Sequence, residues 1–429
     1  MKISVFWFRR DLRLNDNTGL SEALKGQNPV LPIFIFDDQI LDELPEDDAR
    51  VQFIHDQLSK INSALKKKGS SLKILKGNPE EVWKSLFEEF KIEAVFTNRD
   101  YEPYASLRDQ QVEEICKSYN AEFHTFKDQV VFEKSEVVKD DGDPYVVYTP
   151  YKNKWLERLK EIGIPEETEN HFENLLQKSF DFPSLSDIGF KKSSVSVPDY
   201  SLEGLENYEY ERDFPAKDST SHLSVHLRFG TVSTREMVRK ALKINATFLS
   251  ELIWREFFMQ ILSHYPKVVD NNFRSKYDGI NWRNNEEEFE RWCEGNTGYP
   301  LVDAGMRELN ATGIMHNRVR MVTASFLCKH LLIDWKWGEA YFAQKLLDYD
   351  LSANNGNWQW AAGTGCDASP YFRVFNPSSQ LTKFDKNLEY VRKWVPEYEG
   401  FGYPEPMVDH KTARERALSE YKKGIEANQ

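Results

Sequence analysis

Cysteine is scarce in this chain of 429 residues: Cys116, Cys293, Cys328 and Cys366 are its only four, and no two form a C-x-x-C pair. Neither a zinc site nor a disulfide framework is implied, so no metal is expected and a reducing compartment is the default. Long apolar runs are missing as well. Met1–Phe8 is short and gives way to Arg9-Arg10-Asp11, without the charged leader or apolar stretch of a signal peptide. No run approaches the ~20 apolar residues of a membrane span. These absences predict a soluble, cytoplasmic protein. Neither G-x-G-x-x-G nor a P-loop is present, which removes the two common phosphate fingerprints, and no Ser-His-Asp, Cys-His or H-E-x-x-H arrangement points to hydrolysis. Positive charge is in deficit too. Against 56 Lys+Arg stand 69 Asp+Glu, a formal charge of −13, so bulk charge cannot hold this chain on a polyanion and any such partner needs a local basic site.

The deficit is uneven. Residues 1–200 carry 27 basic and 37 acidic side chains (net −10), and 201–429 carry 29 and 32 (net −3). Tryptophan is skewed the other way, with eight of 11 after residue 200. Residues 1–130 alternate β-branched or aromatic runs (Ile3–Phe8, Val30–Phe36, Ser71–Leu75, Ile92–Thr97, Ala121–Phe126) with helical stretches (Asn15–Leu24, Ala49–Lys67, Pro79–Phe90, Pro103–Tyr119). That alternation predicts βαβ units and a doubly wound, Rossmann-like parallel sheet. A linker with helices is expected over 131–200, where Pro165-Glu166-Glu167, Pro183-Ser184 and Lys191–Pro198 are polar and Ser/Pro-rich. Beyond it strand signals vanish. Helical periodicity in Ser233–Leu242, Leu249–His264, Asn317–Lys329, Ala340–Leu347 and Lys411–Lys423 predicts an all-helical domain over 201–429, ending soon after its last helix.

Several constellations in this second half carry chemistry. Glu251, Trp254 and Arg255 are spaced i, i+3, i+4 and share a helix face, and Asn317, Arg320 and Met321 repeat that spacing. Taken alone, each face also suits a solvated ion pair beside a core side chain. Asp348–Trp360 is harder to assign to packing, because two acids, three Asn amides and two Trp within 13 residues make a poor core and a good polar pocket with aromatic walls. Arg318, Arg373 and Lys383 flank these segments and could meet phosphate oxygens, while Trp254 and Trp360 could stack on a base. Ser219–Ser224 offers hydroxyls and N–H groups before a helix, as a phosphate cradle or as a plain Ser/Thr cap.

The longer motifs carry a resemblance. Val5–Arg13, Arg212-Asp213-Phe214-Pro215, Leu227-Arg228-Phe229-Gly230, Gly298-Tyr299-Pro300, Met315–Arg318, Ala353–Trp360 and Tyr371–Pro377 stand in the order found in the photolyase/cryptochrome flavoproteins. Within that family the chain most resembles the class I cyclobutane pyrimidine dimer photolyases, nearly end to end. The resemblance implies an α/β antenna domain, a long linker and a helical domain holding FAD in a bent conformation. It implies that Tyr208, Thr220, Ser221, Leu223 and Ser224 hold the flavin phosphates. Glu251, Arg255, Asn317, Arg320, Asp348, Asp350 and Asn354 would line the rest, with Asn354 facing flavin N5. The implied reaction is light-driven: reduced FAD gives an electron to a flipped-out dimer in UV-damaged DNA, the ring splits, and the electron returns. Glu251 would bond the dimer's base edge in an at least partly protonated state. Trp254, Trp360 and Met321 would enclose the dimer, and Arg212, Arg318, Arg373 and Lys383 would hold the phosphodiester backbone.

The same resemblance separates substrates and partners. Photolyases for the (6-4) photoproduct carry histidines where this chain has Asn317 and Met321, which favours the cyclobutane dimer. Trp358, Trp335 and Trp282 match a relay that photoreduces the flavin, in that order outwards; Trp337, about 200° round the helix from Trp335, should point elsewhere. Asn98–Tyr104 occupies the antenna region, and Ala105 stands where folate-binding members can carry a glutamate, so the antenna chromophore, of folate or deazaflavin type, is unidentified, with another flavin-like pigment or an empty pocket also open. A cryptochrome photoreceptor is the alternative reading. Asn354, the dimer-enclosing set and the short C-terminus speak for a repair enzyme, and a monomer is expected.

Overall fold

The computed structural model of the chain describes residues 1–165 and 171–428; Glu166 and Glu167 of the expected linker lie outside the described residues. Two compact units result. One comprises Met1–Glu136, Leu156–Ser201 and His222–Lys243, the other Val137–Trp155, Leu202–Ser221 and Ile244–Gln429.

The first unit is built on β1 (Lys2–Phe8), β2 (Val30–Asp37), β3 (Lys73–Gly77), β4 (Lys91–Asn98) and β5 (Glu122–Phe126), all parallel in the order β3-β2-β1-β4-β5. Helices α1 (Thr18–Leu24), α2 (Ala49–Lys66), α3 (Pro79–Glu89) and α4 (Pro103–Ser118) make the crossovers. Residues 3–8 of β1 and all of β2 are buried, as a sheet covered on both faces requires. Asn78 caps α3 through Glu80 N, with Pro79 at the first helical position. After β3 the chain returns to the far side of β1, so the order switches between β1 and β4. Ligands of such sheets sit beyond the strands' carboxyl ends at that switch. Here those ends are Arg9-Arg10-Asp11 and Arg99-Asp100.

The units do not divide at residues 130 and 200, where the sequence suggests cuts. His222–Lys243, with most of α6 (Thr234–Ile244), belongs to the sheet-bearing unit. The tie is ionic. Arg235 donates to Asp16 and to Asp128, each at 3.0 Å, Arg13 donates to both Asp128 oxygens at 2.7–2.8 Å, and all four residues are at most 9% exposed. Conversely, Val137–Trp155, with the start of α5 (Tyr148–Ile162), belongs to the helical unit.

That unit contains α7 (Ala246–His264), α8 (Glu286–Glu294), α9 (Pro300–Thr312), α10 (Asn317–Ser325), α11 (Trp335–Lys345), α12 (Leu351–Ala362), α13 (Pro377–Phe384) and α14 (His410–Ala427). The helix expected over Asn317–Lys329 is interrupted: α10 ends at Ser325 and Phe326–Leu331 is π-helical, closed by Leu332 at φ 54°. Two glycines set the packing around α12. A Cβ on Gly356 would lie 2.1 Å from Phe258 of α7, and one on Gly338 of α11 would lie 2.1 Å from the Trp358 ring. Only hydrogen fits at either place.

Candidate functional site

The polar run before and along α12 folds as a set of anchored side chains. Asp350 caps the helix by accepting from Ser352 N (3.1 Å) and Ala353 N (3.3 Å). Arg320 on α10 grips Asp348 with two bonds, 2.9 and 3.1 Å, and donates to Met315 O at 2.7 Å. Asn354 is buried on the first turn, and its Nδ2 donates to both the backbone oxygen (3.0 Å) and the carboxyl (2.9 Å) of Glu339. A backbone carbonyl only accepts, so it fixes which end of the amide is nitrogen. Oδ1 is then left as an acceptor. Burial pushes the Glu339 carboxyl upward, against its bond from Asn354. Glu339 did not emerge from the sequence because a lone Glu on α11 has no motif around it.

A second group surrounds Arg212. Its guanidinium pairs with Glu251 and lies over the Tyr208 ring at 5.4 Å; Tyr208 is half-buried and edge-on to Phe248 at 5.5 Å. Next in sequence, Asp213 takes a 2.7 Å bond from Arg318, whose guanidinium lies 4.2 Å over Phe384. Burial raises the Glu251 carboxyl above its ordinary value, with Arg212 pulling the other way, and burial pushes the Tyr208 phenol up to about 12. Trp254 carries three aromatic neighbours: Tyr148 stacks on it at 3.5 Å and 8°, Phe258 lies nearly parallel at 5.5 Å, and Phe257 is edge-on at 5.5 Å. Tyr148 escaped sequence reasoning because it lies in the segment read as linker, as did Asp213, Phe384 and Asn272, whose roles come from long-range contacts.

Other expected residues are placed less centrally. Arg255, Met321 and Trp360 are half-buried, with Trp360 at 6.5 Å from Phe375, and Asn317, Arg373 and Lys383 are exposed. Thus two of the four cations expected on a phosphodiester, Arg212 and Arg318, are held by carboxylates, and two are open. In the hydroxyl segment Thr220 is half-buried and Ser221 buried. Leu223 (buried) and Ser224 (exposed) start the short helix Leu223–Arg228 of the other unit, whose N-cap is His222 at φ 50° with no side-chain cap bond. The N-cap position of this helix is thus held by His222 and not by a Ser or Thr.

The three relay candidates share one apolar cluster. Trp358 (2% exposed) and Trp335 (1%) are within it, and half-buried Trp282 packs against it. Trp358 is edge-on to Phe342 at 4.9 Å, and Trp335 donates to Asn272 at 2.9 Å. Trp337 packs against the same cluster, edge-on to Phe289 at 5.2 Å.

With this geometry in view, comparison with known proteins is specific. Residues 248–402 match the FAD binding domain of DNA photolyase and residues 4–170 match DNA photolyase. A deoxyribodipyrimidine photo-lyase of Halobacterium salinarum is 35% identical, over 98% of this chain and 99% of its own. The chain belongs to the DNA photolyase family. Among solved structures, a bacterial class III photolyase from Agrobacterium tumefaciens has a TM-score of 0.88 at 34% identity, covering 99% of this chain and 98% of that one. An archaeal photolyase from Sulfolobus tokodaii with two FAD molecules has a TM-score of 0.84 at 36% identity, covering 99% and 100%.

The side chains present suit the family's FAD. The free Asn354 oxygen can accept from a ring N–H, the Arg320–Asp348 pair and the Asp350 cap supply fixed polar edges, and Thr220 and Ser221 supply hydroxyls. The sheet-bearing unit has its own cluster of ion-paired side chains at the β1/β4 switch. Arg10 bonds Asp100 (3.2 Å) and Glu102 (2.8 Å), Arg228 also reaches Glu102 (2.9 Å), and the Arg9 and Arg108 guanidiniums each lie 4.9 Å from the Trp7 ring. Ala105, where folate binders have a carboxylate, is buried at 4% exposure on α4. Among the described residues no helix is long and apolar enough to cross a membrane.

Proposed function

We propose that this chain is a light-driven DNA repair enzyme that splits cyclobutane pyrimidine dimers, with the family's FAD, in reduced form, as electron donor. The observation that carries the reading is the Asn354 amide, turned by Glu339 so that its oxygen can accept from a reduced ring N–H. When bound and reduced, the flavin supplies one electron on excitation by blue or near-UV light and takes it back after the ring opens. The chain's own work is geometric and electrostatic. Asn354 and the Arg320–Asp348 pair hold the flavin edge. Glu251, whose carboxyl burial keeps above its ordinary value, donates a hydrogen bond to the dimer's base carbonyl as negative charge develops there. Trp254 with Tyr148 behind it, Trp360 and Met321 form the walls, while Arg373 and Lys383 contact backbone phosphates directly. Arg212 and Arg318 exchange their carboxylates for phosphates on binding. Trp358, Trp335 and Trp282 carry electrons inward to reduce the flavin.

Against (6-4) chemistry, Asn317 and Met321 offer no titratable proton, and burial pushes the adjacent His316 down to about 4, so it is neutral near neutral pH. The protein acts as a cytosolic monomer, and the β1/β4 switch is where an antenna pigment, if bound, would sit, its absorption spectrum identifying it. The deciding experiment illuminates reduced, FAD-loaded protein with an oligonucleotide carrying one defined cyclobutane dimer. Light-dependent return of monomeric pyrimidines is the expected result; no repair with FAD bound and reduced would overturn the proposal.

A further inference from the structure

Trp282 touches an aromatic residue that belongs to no assigned function. Tyr421 of α14 is fully buried and edge-on to Trp282, ring centres 5.8 Å apart. It stacks parallel on Tyr371 at 6.0 Å and lies 6.3 Å from Tyr277. An electron vacancy arriving at Trp282 therefore has two places to go. It can stay on the half-exposed indole, or it can move inward to Tyr421.

The π-helical segment puts a cation over that second exit. Lys329 is 1% exposed, and its Nζ lies 3.7 Å from the centre of the Tyr421 ring. Nζ donates to Ala362 O, the end of α12, at 2.6 Å and lies 3.4 Å from Tyr371 O; no carboxylate among the described residues pairs with it. The Tyr421 hydroxyl donates to the same Ala362 oxygen at 2.7 Å. Lysine is almost never fully buried without a counter-charge, so an ammonium held only by carbonyls and a ring face calls for an explanation.

Resting on the tryptophan relay proposed above, we propose that Lys329 confines the relay's electron vacancy to Trp282 by disfavouring oxidation of Tyr421. In the step it blocks, one electron passes from Tyr421 to the oxidised Trp282, the phenol O–H bond breaks, and its proton must find a base. The initial oxidant is the photo-excited oxidised flavin. With Lys329 as an ammonium, the positive charge over the ring opposes a second one, and the phenol's only hydrogen-bond partner among the described residues, the Ala362 carbonyl, is no base for its proton. With Lys329 as a neutral amine, both obstacles go, since the repulsion vanishes and a nitrogen bonded to the same carbonyl can take the proton. Burial pushes Lys329 down to about 7. The other titratable groups around this site are Cys328 and His330 on its own segment, Tyr277, Tyr371 and Tyr421 on the elements packed over it, and Asp334 beyond it. Burial raises the Cys328 thiol and the Tyr421 phenol and holds His330 neutral, down at about 3, while Asp334 is raised from the ordinary carboxylate value.

The test uses the full, FAD-loaded chain with ring-deuterated tyrosine, so that electron paramagnetic resonance distinguishes tyrosine from tryptophan radicals after a light pulse. Below the Lys329 transition the unmodified chain should give a tryptophan radical. In Lys329→Met the tyrosine-to-tryptophan ratio should rise by roughly a thousandfold, the effect of one charge at about 4 Å in a medium of effective dielectric constant ~20. Adding Tyr421→Phe should bring the tryptophan signal back. Raising the pH through the transition in the unmodified chain should reveal a tyrosine signal that Tyr421→Phe abolishes, and this arm carries the test where Lys329→Met fails to retain FAD. A tryptophan radical alone in Lys329→Met, or a Tyr421 radical in the unmodified chain below the transition, would overturn the proposal. Failure of the relay reading looks different: radical yield would then be unchanged in Trp335→Phe.

Discussion

Glu251 is the residue on which the proposed chemistry depends most, and two substitutions separate its possible forms. Its carboxyl is raised by burial and lowered by Arg212, with burial the larger influence. A protonated carboxyl donates a hydrogen bond to the dimer, whereas an ionised one would repel the charge that develops there. Glu251→Gln keeps the shape and a permanent donor, and Glu251→Ala removes both. A hydrogen bond to a charged partner contributes about 1.5–3 kcal/mol, so Ala should slow ring splitting by roughly ten- to a hundredfold while Gln stays close to the unmodified rate. The two side chains of the Arg212–Glu251 pair are 21% and 32% exposed, so losing the pair itself costs about 1 kcal/mol or less, and dimer binding should change little. The pH dependence has a definite sign. Because the folded pKa is raised, the neutral form persists to higher pH than in a free carboxyl, and repair per absorbed photon should fall as pH rises through that pKa. The Gln variant cannot ionise, so its profile over that window should be flat. The assay is repair quantum yield on a defined dimer oligonucleotide across pH, with binding measured in parallel. An unchanged yield in Glu251→Ala, or a Gln variant as poor as Ala with binding intact, would refute the reasoning.

Gly338→Ala would drive a methyl into the Trp358 ring; overpacking of this kind costs about 1–3 kcal/mol, and flavin photoreduction followed by transient absorption should slow. Arg235→Met leaves Asp16 and Asp128 sharing only Arg13 in a buried site, which should destabilise the sheet-bearing unit by about 3–5 kcal/mol in chemical unfolding; adding Asp16→Asn should recover part of it by restoring neutrality. Glu339→Ala removes the carboxyl that helps orient Asn354, so reduced protein should reoxidise several-fold faster in air, with FAD content unchanged. Arg373→Gln and Lys383→Gln should each lower the slope of log affinity against log salt by about 1.

Much of the architecture was legible because its determinants are local. The nearly continuous apolar run Ile3–Phe8 and the helical apolar pattern of Leu249–His264 record burial directly, and Asn78-Pro79 marks the α3 start by its own chemistry. The missed features are the ones fixed at long range. The Asp16/Asp128/Arg13/Arg235 network joins residues more than 200 positions apart through charges that look solvated in sequence, and it moves His222–Lys243 into the unit that carries the sheet. The π-helical turn at Phe326–Leu331 sits inside a strong helical pattern, because one inserted residue hardly disturbs the periodicity while turning Lys329 inward. Site residues were legible where motifs crowd them, as along Ala353–Trp360. Tyr148 and Glu339 were not, since their meaning lies wholly in the side chains they touch.

Charge gives the last step. A net −13 protein approaches a polyanion at a disadvantage, and the structure answers with pairing more than with excess cations. Arg318 and Arg320 are paired with Asp213 and Asp348, and Arg212 is bonded to the Glu251 carboxyl, leaving Arg373 and Lys383 open. A phosphate that displaces Asp213 from Arg318 gains only the difference between two similar ion pairs, and it leaves a carboxylate to be rehydrated. Undamaged DNA therefore has little to hold it. In the proposed complex a flipped dimer adds contacts that ordinary duplex cannot offer, chiefly with Trp254 and Trp360. Discrimination for the lesion then comes from keeping the shared electrostatic attraction small, so that the few lesion-specific contacts dominate the total.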